Sequence, residues 1–323
     1  PSLCDHPALE SYGGCRLCIV EVKGYPKPVA SCVMPLAEGM EITTESPELR
    51  EIRRSVLELM LVRHPFVCLY CSANGRCDLQ KLADHFGIKR DSFAWRGDEV
   101  PTPHPADESN HFFIREPDKC VLCGRCVRVC DSHAQYRAID FENRGIFTAI
   151  QSPADFGMES SDCKSCGQCV AVCPTGALCE RSNLNAGAAW TRKRVKTVCP
   201  YCGVGCSLVA EVSASDGKLV NVTSDHSDMA SVNGGRSCVK GRFGWEFVNS
   251  EERLKTPLIK ENGVFREASW DEALDVVAAG LSRNMGQTGF FASARCTNED
   301  NYLMQRFARE VMRTNNVDHC AHL

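Results

Sequence analysis

Hydrophobic periodicity is unevenly spread along this chain. From Glu48 to Arg63, the apolar positions Ile52, Val56, Leu59, Met60 and Val62 recur at helical spacing and predict one amphipathic helix facing inward on that stripe. Ser46-Pro47-Glu48 supplies its start and His64-Pro65 its stop. The stretches before Cys199 otherwise hold few large apolar runs. After Cys206 the pattern becomes regular. Leu208 to Val212 and Leu219 to Val222 alternate around Asp216-Gly217, which predicts a β-hairpin. A second turn falls at Asn262-Gly263, within Pro257 to Phe265. Ser269-Trp270-Asp271-Glu272 caps a helix running to about Met285. Gly289 to Ser293 reads as a short buried strand, and Asn298 to about Met312 as a helix with Tyr302, Leu303, Phe307 and Val311 inward. Strand followed by helix fits the opening of an α/β domain.

Two polar stretches interrupt these elements. Arg96 to Asn110, with Pro101, Pro103 and Pro105, reads as a linker. Arg192-Lys193-Arg194 and Lys196 read as a solvated linker, with docking of a partner subunit as the alternative.

Composition narrows the class. A length of 323 residues allows two or more domains. A formal net charge of −4 excludes nucleic acid or an anionic membrane as the main partner. No apolar run approaches the ~18 residues of a membrane span. The outlying number is 22 cysteines, grouped in C-x-x-C pairs inside a long chain. That grouping implies metal binding in a reducing compartment, which predicts a cytoplasmic location; disulfide scaffolds are short and secreted. The chain opens on Pro1 and runs straight into a cysteine set, so its true N-terminus is expected upstream and a targeting signal is not legible.

The cysteines fall into five sets. Cys4, Cys15, Cys18 and Cys32 place a C-x2-C pair between two distant thiols, which suits a [2Fe–2S] cluster. Gly13 and Gly14 before that pair let backbone N–H groups turn toward anionic sulfur. His64, Cys68, Cys71 and Cys77 offer one imidazole and three thiolates to a [4Fe–4S] cluster; zinc is the alternative, since Cys3His is also a zinc set. Cys120, Cys123, Cys126 and Cys130, and then Cys163, Cys166, Cys169 and Cys173, repeat C-x2-C-x2-C-x3-C, in which the fourth cysteine ligates the other cluster. One cubane is therefore expected on Cys120, Cys123, Cys126 and Cys173, the second on Cys163, Cys166, Cys169 and Cys130. Pro174 follows the last cysteine of the second run and Asp131 that of the first. Cys199, Cys202 and Cys206, on the loop entering the hairpin, join Cys238 in a fifth set. Lys240 follows two residues later; it reads as a surface charge or as a bridge to an anionic cofactor. Only Cys179, Cys296 and Cys320 lie outside these sets, and they read as ordinary thiols.

The order of these sets resembles known families. Residues 1 to about 180 are similar to the front end shared by the large iron–sulfur subunit of respiratory complex I, iron-only hydrogenases and NAD-linked formate dehydrogenase α subunits. The set from Cys199 to Cys238 then resembles the [4Fe–4S] motif of molybdenum or tungsten bis-molybdopterin guanine dinucleotide enzymes, where an iron-only hydrogenase would begin a different domain. Cys238-Val239-Lys240-Gly241-Arg242 is similar to the family segment whose lysine lies between cluster and pterin. Arg253-Leu254-Lys255-Thr256-Pro257-Leu258 and Ser269-Trp270-Asp271-Glu272-Ala273-Leu274 also resemble this superfamily. Cys296-Thr297-Asn298-Glu299-Asp300-Asn301-Tyr302 and Thr314-Asn315-Asn316-Val317-Asp318-His319-Cys320-Ala321 resemble formate dehydrogenases. Arg313 and His322 depart from that pattern, standing where the family has Gly and Arg.

The resemblance implies an α+β multi-domain iron–sulfur protein, ferredoxin-like modules followed by the start of an α/β molybdopterin oxidoreductase domain. The expected divisions are a partial [2Fe–2S] domain over 1–42, a His(Cys)3 [4Fe–4S] domain over 43–95, a two-[4Fe–4S] domain over 96–190, a [4Fe–4S] bis-molybdopterin-type domain over 191–250 and the truncated molybdopterin oxidoreductase domain over 251–323. It implies one [2Fe–2S] and four [4Fe–4S] clusters, with molybdenum or tungsten bis-molybdopterin guanine dinucleotide in the full-length protein. Lys240 is the implied electron relay, and Lys240, Asn298, Glu299 and Asn301 are the implied pterin-side residues. The implied activity is oxidation of formate to CO2, with electrons passing to a flavin- and NAD-binding partner subunit or a ferredoxin. A complex I-type electron-transfer subunit and an assimilatory nitrate reductase are the alternatives. In formate dehydrogenases the residue after this stretch is the metal ligand, cysteine or selenocysteine, so a selenocysteine codon is expected after Leu323, with a fragment edge as the alternative; the truncated chain is expected to be inactive alone.

Overall fold

The computed structural model describes residues 1–89, 104–153 and 157–320. Two compact units result, Pro1–Thr197 with Ser207–Gly244, and Val198–Cys206 with Trp245–Leu323.

The first unit opens on a small antiparallel sheet in which β1 (Ile19–Val22) lies between β2 (Val29–Ala30) and β3 (Ile42–Thr43). Helix α1 (Pro47–Leu61) follows, with Pro47 in its first turn and Ser46 Oγ accepting from Leu49 N at 3.1 Å. Its buried row is Leu49, Arg53, Leu57 and Leu61, not the expected stripe, and Leu59 is 73% exposed. Arg53 explains the roll. Its guanidinium donates to Ile19 O at 2.7 Å and Thr44 O at 2.8 Å and pairs with Glu45, so a charged side chain stands in the inward row with both terminal nitrogens engaged. Val56 and Met60 pack at the flank. Helix α2 (Asp78–His85) starts at Cys77, whose sulfur accepts from Gln80 N.

In chain order there follow β4 (Phe113–Arg115), α3 (Arg125–Val129), β5 (Asp140–Glu142), β6 (Ala149–Gln151), α4 (Gln168–Val172) and β7 (Leu178–Glu180). β4 pairs antiparallel with β7, and β5 with β6. Residues 96–103 of the expected linker lie outside the described residues. The remainder is not free chain. Asp107 exchanges two backbone bonds with Arg115, and the buried Asn110 side chain accepts from Phe112 N and Phe113 N. An Asx-type turn thus leads into β4.

The basic run also differs from expectation. It forms β8 (Arg192–Val198), the edge strand of a sheet ordered β10-β9-β8, with β9 (Ser207–Ser213) and β10 (Leu219–Ser224) as the expected hairpin. Carboxylates on the neighbouring chain make this possible. Arg192 is buried on Glu211 at 2.9 Å, and Lys196 reaches Asp225 at 3.1 Å. Helix α5 (Val239–Phe243) closes the unit.

Two apolar clusters form its core. One holds Leu3, Leu17, Leu57, Leu61, Leu79 and Phe86 together with Cys4, Cys15 and Cys77. The other holds Phe113, Val129, Ile139, Ile150, Val172 and Leu178 together with Cys126 and Cys169.

In the second unit, β11 (Leu258–Glu261) and β12 (Val264–Glu267) pair across Asn262 and Gly263, both at positive φ as a type I′ turn requires. Helix α6 (Trp270–Arg283) is capped by Ser269, whose Oγ accepts from Glu272 N. β13 (Phe290–Ala292) and β14 (Val317–His319) pair in parallel around α7 (Asn298–Arg306), a β-α-β unit. β13 is not the buried strand expected, since Phe291 is 79% exposed in this two-stranded pair. The inward face of α7 differs as well. The helix widens to a π-turn over Phe307–Val311, which shifts its register, so Ala308 and Met312 are buried while Tyr302, Leu303, Phe307 and Val311 stay exposed. Arg313 has φ 54°, the left-handed conformation for which glycine is the default.

Candidate metal centres

The N-terminal set is gathered by short turns. Cys15 N donates to Cys4 Sγ at 3.4 Å, and Cys18 and Cys32 sulfurs lie 3.3 Å apart. Burial and the neighbouring Cys18 sulfur push the Cys32 thiol up to about 11, while N–H groups of Gly13 and Gly14 point at Cys32 and Cys4 and oppose such a shift. Gly13 turns at φ 68°. Four crowded thiols with N–H donors aimed at them are suited to losing their protons to a metal.

His64, Cys68, Cys71 and Cys77 line one cavity with Lys119 and Gly176. His64 Nδ1 is buried with no hydrogen-bond partner among the described residues. Burial, then the Lys119 charge, lowers this imidazole to about 4, leaving it the neutral form that ligates metals. A Cβ on Gly176 would stand only 2.5 Å from Cys71 Sγ, so the chain after Cys173 must be glycine to close this site. Among the described residues, no three His, Cys, Asp or Glu side chains converge as a single ion requires.

The two C-x2-C-x2-C-x3-C runs cross as their spacing implies. Cys120, Cys123, Cys126 and Cys173 line a second cavity with Arg115, Ile139, Ile150 and Leu178. Burial raises Cys120 to about 11 and Cys123 to about 12, and the Cys173 sulfur adds to both. Cys169 is raised well above the ordinary thiol by burial and then by Cys166, Cys163 and Cys130, while Arg242 opposes. Each fourth cysteine thus stands with the other run's first three. Such raised thiols are costly to ionise alone, and iron(II/III) is the charge that would offset them.

The last set divides between the units. In the second unit, Cys199 is buried, Cys202 is exposed, and Cys199 N donates to Cys206 O at 2.9 Å. In the first unit, Cys238 caps α5, and the exposed Lys240 follows in the helix. Asn233 holds the approach to Cys238 by bonding both Ser207 N and Ser207 O. Asn298 and Glu299 are exposed at the start of α7, which carries a Thr297–Asp300 capping box. The Asn301 amide is committed to Ser293, accepting from its N–H and donating to its carbonyl. Cys179 is buried in β7, while Cys296 and Cys320 are exposed. His322 lies outside the described residues.

Sequence reasoning missed three buried polar residues beside these thiols. Asn110 Nδ2 donates to Ser165 Oγ at 2.9 Å and lies 3.9 Å from Cys163 Sγ. Arg115 donates to Ile150 O at 2.6 Å and pairs with Asp107. Arg242 is fully buried on Glu180. A polar residue just ahead of an apolar triplet was the signal for Asn110; Arg242 stood in a quoted segment where only the lysine was read.

Family models match five successive segments of the chain. Residues 1–47 match a 2Fe-2S iron-sulfur cluster binding domain, 53–91 the NADH-ubiquinone oxidoreductase-G iron-sulfur binding region, and 119–177 a 4Fe-4S dicluster domain. Residues 192–250 match the molybdopterin oxidoreductase Fe4S4 domain and 253–323 the molybdopterin oxidoreductase domain. The chain is 35% identical over 330 residues to the NADPH-Fe(3+) oxidoreductase subunit alpha of Geobacter sulfurreducens, covering 100% of this chain and 37% of the relative. It is 34% identical to YrhE of Bacillus subtilis, a protein provisionally named as a formate dehydrogenase (99% and 36% covered), and 34% identical to a subunit of the NADH-quinone oxidoreductase of Rhizobium meliloti (98% and 36%). Among solved structures it is similar to a chain of an NAD+-reducing [NiFe]-hydrogenase, with TM-score 0.51 and 30% identity over 56% of this chain and 75% of that one. The chain spans little more than a third of the length of the curated relatives it matches.

Modules and matches together define a multicluster iron–sulfur oxidoreductase chain. It belongs to the molybdopterin oxidoreductase family, with an iron–sulfur front of the NADH-ubiquinone oxidoreductase-G type. Its domains are those that bind [2Fe–2S] clusters, [4Fe–4S] clusters and molybdopterin. Among the described residues no helix is long and apolar enough to cross a membrane.

Proposed function

We propose that this chain is the cluster-bearing front of a formate dehydrogenase α subunit, joined to the opening of its catalytic domain. The observation that carries the cluster assignment is the crossing of the two cysteine runs, with Cys173 beside Cys120, Cys123 and Cys126, and Cys130 beside Cys163, Cys166 and Cys169. On this reading Cys4, Cys15, Cys18 and Cys32 hold one [2Fe–2S] cluster. Four [4Fe–4S] clusters are held by the His64 set, the two crossed sets, and Cys199, Cys202 and Cys206 with Cys238. Such clusters carry one electron each, so a series of them converts a two-electron oxidation into single transfers. When bound, the pterin-held molybdenum or tungsten supplies cleavage of the formate C–H bond and takes up its two electrons. Lys240 presents an exposed amine just after Cys238, where a cation suits an anionic pterin. Asn298 and Glu299 stand exposed at a helix start, and Asn301 positions that helix on Ser293. Two segments, 296–302 and 314–321, support formate over other substrates. A flavin- and NAD-binding subunit, or a ferredoxin, is the proposed acceptor in a reducing, cytoplasmic setting that keeps the 22 cysteines out of disulfides.

Similar identity to a subunit of an NADH-quinone oxidoreductase and to an NADPH-linked α subunit supports a second reading, a purely electron-transferring subunit. Assaying the full-length protein, with metal analysis, decides between them. Formate-dependent dye reduction with molybdenum or tungsten bound is expected. NAD(P)H-dependent reduction of the clusters without formate turnover or a pterin metal would select the second reading.

A further inference from the structure

Arg242 is the largest fully buried side chain of the first unit, and its surroundings are unusual for a cation. It comes from α5, four residues after Cys238, yet it reaches the other cysteine set. A Cβ built on Gly167, which stands between Cys166 and Cys169, would overlap both Cδ and Nε of Arg242. Gly167 has φ 71°, so two independent demands require glycine there. One guanidinium nitrogen is held by the Glu180 carboxylate, and another donates to Ser224 Oγ at 3.3 Å. The Nε–H has no hydrogen-bond partner among the described residues. An unsatisfied buried donor calls for an acceptor, and Gly167, against which Nε packs, belongs to the loop bearing the sulfurs of Cys166 and Cys169. The charge of Arg242 favours the thiolate of both, against the burial that raises them. The same seam is tied twice more, by Gln168 Nε2 donating to Ser237 O at 2.8 Å and by Phe243 stacking on Phe112 at 4.8 Å.

We propose that Arg242 is a positioning residue for the cluster held by Cys130, Cys163, Cys166 and Cys169, directing its Nε–H and its charge at the sulfurs and setting that cluster's reduction potential from the segment that ligates the next one. This rests on the assignment of those four cysteines to a cubane. A buried cation and a hydrogen bond to sulfur both stabilise the reduced cluster, which carries one more negative charge, so they raise its potential. Glu180 opposes, and Arg115 supplies an internal control, since it lines the other crossed set.

The test is a redox titration followed by electron paramagnetic resonance on the full chain with its clusters loaded. The signal of this cubane is first identified by its alteration in Cys166→Ser. In Arg242→Gln the reduction of that cluster is expected to become about tenfold less favourable, about 59 mV more negative for one electron, with the other clusters unmoved. Arg242→Lys keeps the charge but not Nε and is expected to fall between. Arg115→Gln is expected to leave this cluster unmoved. If Arg242→Gln does not take up iron, Glu180→Gln carries the test, with a shift of the same signal to more positive potential. A loaded Arg242→Gln with unchanged potential, a uniform shift of all clusters, or no shift in Glu180→Gln overturns the proposal. Absence of any signal sensitive to Cys166→Ser would instead refute the cubane assignment.

Discussion

The two crossed cysteine runs are built from the same loop and diverge in what surrounds it. Leu122 and Ser165 take φ 54° and 53°, Gly124 and Gly167 take φ 70° and 71°, and Leu122 N and Ser165 N each donate to the preceding cysteine sulfur at 3.4 Å. Each loop leads into a five-residue helix. The exits differ for a local reason. Pro174 forbids a helical Cys173, which has ψ 123°, so α4 stops there. Asp131 carries no such restriction, and α3 runs on through a π-turn over Cys130–Ala134. Each set also has a buried arginine on a carboxylate, and the first set has a second, Arg125 on Asp78 at 3.4 Å. Arg115 and Asp107 belong to the same module as their sulfurs, whereas Arg242 arrives from the Cys238 segment. The first set is tied to earlier segments through Arg125, which meets Asp78 and Asp5 O, and the second to the segment that follows through Arg242. Similar loops therefore do not imply similar clusters.

The largest expected effect removes both halves together. Cys126 and Cys169 lie inside an apolar cluster, and Cys4, Cys15 and Cys77 inside the other, so the cores themselves include proposed ligands. Iron chelation is expected to abolish cooperative unfolding and near-ultraviolet circular dichroism of the first unit. A chelated chain that keeps both would show that apolar packing alone suffices.

Substitution of the paired glycines separates the halves. Alanine at either position meets a left-handed backbone, at roughly 1–2 kcal/mol each. At Gly124 the new Cβ would stand 3.1 Å from Phe141 Cζ, a ring that can give way. At Gly167 it would overlap Arg242, which Glu180 and Ser224 hold in place. Gly167→Ala is expected to cost about 1–3 kcal/mol more than Gly124→Ala, the usual range for overpacking. Equal denaturation midpoints for the two loaded variants would break the comparison.

Legibility in the sequence follows from how local each feature is. The hairpin at Asp216-Gly217, the caps at Ser46 and Ser269, and the turn at Asn262-Gly263 are set by neighbouring residues, and all were readable. The cysteine groups that line common cavities, the His64 set and the Cys120 set with Cys173, were readable because their spacing is itself the signal. What could not be read depended on distant partners. The roll of α1 follows from Arg53 meeting Ile19 O and Thr44 O, and the pairing of β8 follows from Glu211 and Asp225. Arg242 lies 62 positions from Glu180, and no periodicity connects them. The π-turn that buries Ala308 and Met312 in place of Phe307 and Val311 has no marker in the sequence.

A smaller effect is expected at Asn110, which braces only the second loop. Its amide accepts from Phe112 N and Phe113 N and donates to Ser165 Oγ beside Cys163. Asn110→Ala leaves these donors buried without an acceptor, at about 1–3 kcal/mol. Asn110→Asp keeps the acceptor for both N–H groups and loses only the bond toward Ser165. Loss of stability in the alanine variant with recovery in the aspartate variant would locate the contribution in the turn. Equal loss in both would locate it at the Ser165 loop.

The smallest effect is in acid. Burial works to raise the Glu180 carboxyl, but the Arg242 and Arg76 charges outweigh it and hold the group below its ordinary value. Burial also opposes Asp107, where the Ser109 hydroxyl and N–H and the Arg115 charge prevail. A carboxyl depressed in the folded state contributes stability above its unfolded pKa, about 4, and loses it as pH falls through the folded value. Both pairs therefore predict weakening that begins near pH 4 and deepens below it. Glu180 is buried against Arg242, which has no second carboxylate among the described residues, so protonation there leaves a buried cation unpaired, the costlier event. Arg115 keeps its bond to Ile150 O when Asp107 is protonated. Glu180→Gln should accordingly flatten the acid limb of the unfolding midpoint more than Asp107→Asn does. The reverse order would mean that the Arg115 half, not the Arg242 half, is the weaker in acid.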